Sequence, residues 1–140
     1  MAYSLTRLGY VEELDGNLDA AQARHQESLR LSRDLRDGAP AALALEGLAC
    51  VAAARRQPRR AAVLLGAAES LRERTRTPLP PWERADIERA GGAAADALGE
   101  RAVTELMEQG RRMSVEDAAG YVADTVRQDG REEDPGRSSG

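Results

Sequence analysis

The sequence contains no lysine and no phenylalanine, and it has single copies of cysteine, histidine, tryptophan and isoleucine. Each shortage excludes something. One cysteine, Cys50, allows no internal disulfide, so the chain is not a disulfide-stapled scaffold and suits a reducing, cytoplasmic setting. His25 has no second histidine or cysteine at ligand spacing, and zinc needs three or four ligands, so no metal is expected. Without lysine there is no phosphate-binding G-x-x-x-x-G-K-[ST] loop, and G-x-G-x-x-G is also missing. No apolar run approaches the ~20 residues of a membrane span. The opening MAYSLTRLGY lacks the basic segment and apolar stretch of a secretion signal. Long β-branched or alternating runs are missing too, which argues against strands. A net charge of −4 gives no electrostatic reason to expect nucleic acid.

What remains is rich in alanine, arginine, leucine and glycine. Alanine and leucine are strong helix formers, and small alanine faces let helices approach closely. Apolar spacing and break signals predict seven helices, at about 3–14, 18–35, 41–55, 58–74, 82–98, 100–112 and 115–127. The turn DGN, with Asn17 able to hydrogen-bond locally, separates the first two. Gly38 and Pro40 end the second, and Pro58 suits the first turn of the fourth. RTPLPPW is the strongest break, since prolines exclude helix interior. AGGAA in the fifth predicts close packing or a kink. Ser114 and Asp117 form a capping-box pattern ahead of the seventh. Residues 129–140 are polar and rich in glycine and serine, the composition of a disordered tail. The expected fold is all-α, in one domain over residues 1–128.

A forty-residue offset lays Leu5 on Leu45, Leu8 on Leu48, Val11 on Val51, Ala21 on Ala61 and Leu31 on Leu71. The repeats span about 2–35 and 42–75, each a helix, a turn and a second helix. A lone hairpin cannot bury its apolar face, so such units stack, and inward positions recur while outward ones drift. Residues 81–128 then serve as C-terminal capping helices.

The pattern Leu5, Leu8, Gly9 and Ala21, repeated as Leu45, Leu48, Ala49 and Ala61, resembles the tetratricopeptide repeat. That resemblance implies an antiparallel helix-hairpin stack wound into a superhelix. The period here is forty residues, against about 34 in that family. RAAVLLGAAESLRERTRTPLPPWERADIERA and LGERAVTELMEQGRRMSVEDAAGYV, within Leu43 to Val122, also resemble the C-terminal region of actinobacterial multidomain ATPase-type regulators. This second resemblance implies a non-enzymatic protein–protein interaction module of a bacterial transcriptional or signalling regulator.

Tetratricopeptide units line a concave face with their first helices. Carrying those positions over gives Tyr3, Arg7, Tyr10 and Glu13 from the first unit and Leu43, Glu46 and Cys50 from the second as contacts for a protein partner. The alternative is a small-molecule effector sensor, with a pocket between the repeats and the last three helices. The N-terminal end has no evident cap, so self-association into a homodimer is expected to cover it. RRQPRR, residues 55–60, faces the acidic turn of the first unit, including Asp19, and is expected to pair with it rather than bind RNA. His25 and Cys50 are expected to be packed inside. No residues select a catalytic centre, so no enzyme and no cofactor are expected.

Overall fold

A computed structural model describes residues 17–33 and 38–132, with side chains described as far as residue 124. Among the described residues there are six helices and no strand: α1 (Leu18–Ser32), α2 (Ala39–Ala54), α3 (Pro58–Thr75), α4 (Pro81–Leu98), α5 (Glu100–Arg111) and α6 (Val115–Glu132). The fold is all-α. None of these helices is long and apolar enough to cross a membrane. The helix expected at about 3–14 lies outside the described residues, as do residues 133–140.

The boundaries follow local chemistry. Asn17 caps α1 by accepting the Ala20 N–H at 3.2 Å. At α6 the capping box closes both ways, with Asp117 N–H donating to Ser114 Oγ at 3.0 Å and Ser114 N–H to Asp117 Oδ2 at 3.2 Å. Pro40 does not stand outside a helix as expected. It lies in the first turn of α2, where a missing N–H costs no hydrogen bond. α6 runs to Glu132, so residues 129–132 are helical and not part of a tail. Gly99 alone joins α4 to α5, at φ +88° and ψ 152°, a conformation essentially restricted to glycine.

α2 and α3 form an antiparallel hairpin, with Gly38 at the start of α2 against Thr75 at the end of α3. Both helices end in the same motif. Gln57 N–H reaches Ala52 O and Arg56 N–H reaches Ala53 O; Thr77 N–H reaches Arg72 O and Arg76 N–H reaches Glu73 O. The left-handed residue that closes each is an arginine, Arg56 at φ 60° and Arg76 at φ 56°, where glycine is usual. Proline follows two residues later in both cases and forbids continuation.

α1 packs on α2, α4 on α3 and α2, and α5 chiefly on α3, while α6 touches α3 and α1. Ala62 clusters with Val103, Gly66 meets Met107, Gly110 meets Val63 and Ala67, and Arg111 pairs with Glu69 and Glu73. Positions along the two helices rise together, so α3 and α5 run parallel. Their backbones touch. A Cβ on Gly66 would sit 2.1 Å from the Met107 carbonyl oxygen, and one on Gly110 would sit 1.9 Å from that of Val63. The close crossing therefore uses Gly66 and Gly110. The AGGAA glycines do not serve it: Gly91 only grazes Leu65, and Gly92 faces open space.

α2 is the central helix. Its sequence, APAALALEGLACVAAA, is apolar on every side, and all but three of its residues are buried. Leu45, Leu48 and Ala49 meet Leu64, Leu65, Ala68 and Leu71 of α3 in the main core. A smaller cluster around Ala62, Ala94 and Val103 fills the joint of α3, α4 and α5.

Candidate functional site

Besides the buried hydroxyls of Ser28, Ser32 and Ser70, an ionic cluster and a histidine enter this interior. Glu46 is the one charged residue of α2, and it is 3% exposed. Arg72 of α3 meets it with a two-pronged ion pair, Nε to Oε2 at 2.7 Å and Nη2 to Oε1 at 2.6 Å. The same Nη2 reaches Glu83 Oε2 of α4 at 3.4 Å, and Glu83 is 0% exposed. Nη1 donates to the carbonyls of Thr77 and Pro78 at 3.0 and 3.2 Å. A guanidinium carries five N–H groups, and here five bonds account for all of them. One side chain thus ties α2, α3, α4 and the proline segment together.

The histidine is His25. It is fully buried on α1, and its ring lies over Gly47 of α2, where any Cβ would be within 2.5 Å of ring atoms. Burial lowers its pKa to about 4, so the ring is neutral at pH 7.

The residues expected to meet a partner divide three ways. Tyr3, Arg7, Tyr10 and Glu13 lie outside the described residues. Leu43 and Glu46 are buried, which corrects their expected place on an accessible face: α2 is enclosed by its neighbours, and the Glu46 carboxylate is taken by Arg72. Cys50 is buried too, but it borders a cavity of about 260 Å³ between α2 and α4. Ala53 and Ala54 of α2 and Ala90 and Ala93 of α4 line the same cavity, and Asp86 and Arg89 stand beside it as an ion pair. Cys50 Sγ donates to the Asp86 carbonyl oxygen at 3.8 Å.

The small side chains follow from helical spacing. Cys50, Ala53 and Ala54 fall on one stripe of α2; Asp86, Arg89, Ala90 and Ala93 fall on one stripe of α4. The alanines and Cys50 on these two facing stripes leave the groove between α2 and α4. Its chemistry is a weakly polar thiol and one ion pair.

In the arginine turn, one of the expected pairs with the acidic turn is seen. Arg55 pairs with Asp19 of α1, although the Asp19 carboxylate is 93% exposed, and Arg60 donates to Gln57 Oε1 at 2.9 Å. No group of three or more potential metal ligands occurs among the described residues. The pentapeptide GRSSG, residues 136–140, has the letter spacing of a nucleophile elbow but lies outside the described residues.

The buried ionic cluster was missed by sequence reasoning, yet a signal exists. A lone glutamate in a helix apolar all round must be neutralised inside the fold, and arginine is the residue suited to a buried two-pronged pair. No family model, curated protein or solved structure matches the chain.

Proposed function

We propose that this chain is a non-enzymatic helical-repeat interaction module of the tetratricopeptide type, part of a cytoplasmic bacterial transcriptional or signalling regulator. It holds a segment of a partner protein in the groove between α2 and α4. The observation that carries this reading is the cavity lined by Cys50, Ala53, Ala54, Asp86, Arg89, Ala90 and Ala93. α2 and α4 are the helices that open successive hairpins, and in a tetratricopeptide stack such helices line the binding face. By the forty-residue offset, Tyr10 and Glu13 correspond in sequence to Cys50 and Ala53 of this groove.

The test fills the groove. Ala54 and Ala93 are exposed at its edge, so Ala54→Arg with Ala93→Arg blocks it while leaving the core alone. A protein retained from lysate by the wild-type chain and lost by this variant, at equal helicity, supports the module. An identical set retained by both refutes it.

A second reading, a small-molecule effector site, draws on the same cavity. Its volume lies just under the ~300 Å³ at which ligand pockets usually begin. A compound that raises the melting midpoint of the wild type but not of the blocked variant favours this reading over the first.

A further inference from the structure

We infer that residues 77–82 form a second recognition element: a rigid proline strip ending in Trp82 that seats in an aromatic-lined, acid-rimmed groove of a partner protein. Four observations on this segment converge.

The first is backbone rigidity. Pro78, Pro80 and Pro81 each have a fixed φ, and Thr77, Leu79 and Pro80 each precede a proline, which holds them extended. Pro80, at φ −62° and ψ 140°, has polyproline II geometry. Pro78 lies on the strip, and Pro81 opens α4. Both are exposed.

The second is the anchoring. Arg72 holds the Thr77 and Pro78 carbonyls from inside, and the Glu83 N–H takes that of Pro80 at 3.0 Å. The strip is therefore ordered before any partner arrives, which reduces the entropy lost on binding. With three carbonyls engaged, recognition falls on the ring faces, and flat proline rings are read by aromatic side chains.

The third is Trp82. It is the only tryptophan, in a chain with 3% aromatic residues, and it is 58% exposed at the end of the strip. Tryptophan is among the residues that most often dominate interface energies. The fourth is charge. Arg76 and Arg84 flank the strip and are exposed, so a complementary groove carries acidic residues at its rim.

This element is separate from the groove between α2 and α4. Ala93 lies eleven residues beyond Trp82 on α4, a rise of about 16 Å.

The experiment places 5-fluorotryptophan at position 82 of the full chain and follows its fluorine resonance. The chain is titrated with a purified WW domain and, separately, with an SH3 domain of acidic rim, two proline-reading folds with aromatic grooves. The expected result is a saturable shift with a Kd on the order of 100 μM, the weak range for a rigid but short epitope. Pro78→Ala with Pro81→Ala weakens it at least tenfold at unchanged helicity, whereas Ala54→Arg with Ala93→Arg leaves it intact. No shift with either domain at about 1 mM overturns the inference. Equal binding by the proline variant, or loss of binding in the groove variant, overturns it as well.

Discussion

Replacing Arg72 with methionine keeps most of the side-chain volume and removes every donor that joins α2, α3, α4 and the proline segment. Five bonds disappear: two to Glu46, one to Glu83 and two to the carbonyls of Thr77 and Pro78. The carbonyls lie near the surface and can turn to water. The carboxylates cannot, since Glu46 and Glu83 are 3% and 0% exposed. Removing one partner of a buried ion pair costs ~3–5 kcal/mol, because the remaining charge is left desolvated. Taking about 4 kcal/mol, and a urea m value of about 2 kcal/mol/M, the unfolding midpoint falls by about 2 M. Arg72→Lys retains the charge but offers a single point of contact instead of the fork, so its loss is smaller, about 2 kcal/mol. Replacing all three residues, as Glu46→Leu, Arg72→Met and Glu83→Leu, takes the buried charges out together and restores most of the stability. Urea unfolding of the four proteins at pH 7, followed by far-UV circular dichroism, measures each step. If Arg72→Met unfolds within about 1 kcal/mol of wild type, the three side chains are not a closed buried cluster and the reasoning fails.

Two further outcomes follow from the same interior and its borders. His25 has a folded pKa of about 4 against an unfolded value near 6.5, so the unfolded chain binds more protons between those values and stability rises with pH across the window. Its contribution is fully present above about pH 6.5; roughly 3 kcal/mol is lost by pH 4, and His25→Leu should remove that share of the slope in unfolding midpoints taken from pH 7 to 4. At the helix ends, Arg56→Gly and Arg76→Gly each relieve a left-handed strain of about 1 kcal/mol and should raise the melting midpoint by a few degrees. A fall in either midpoint would mean that the arginine side chains stabilise more than the backbone strain costs.

Where the helices lie was legible in the sequence, because the signals are local. Asn17, Pro58, Pro81 and the Ser114–Asp117 pair mark helix starts through bonds or ring constraints spanning three residues or fewer. Pro40 misled at this level, since a proline reads alike just outside a helix and in its first turn; only the path of the chain decides between them. The helix ends at Arg56 and Arg76 were legible through the prolines that follow, while the strained arginines themselves carry no letter-level sign.

Of the candidate site, Cys50 follows from carried-over family positions, and in the fold it borders the cavity between α2 and α4. Leu43 and Glu46 were misplaced for one reason. Family positions describe an open face, and this α2 is alanine-rich on every side, so its neighbours close over it. The glycine stripe was misjudged in the same way. AGGAA draws attention by its density, but Gly66 and Gly110, 44 residues apart, are the ones that let two backbones touch.

The sequence by itself determined an all-α chain, its breaks and its apolar stripes, since hydrophobic period, capping and proline act over one or two turns. Only the tertiary structure decided that Glu46 meets Arg72 and Glu83, that His25 rests on Gly47, and that α3 and α5 run in contact. Each of these joins residues from different helices in an interior shielded from water, which no single helix can create alone.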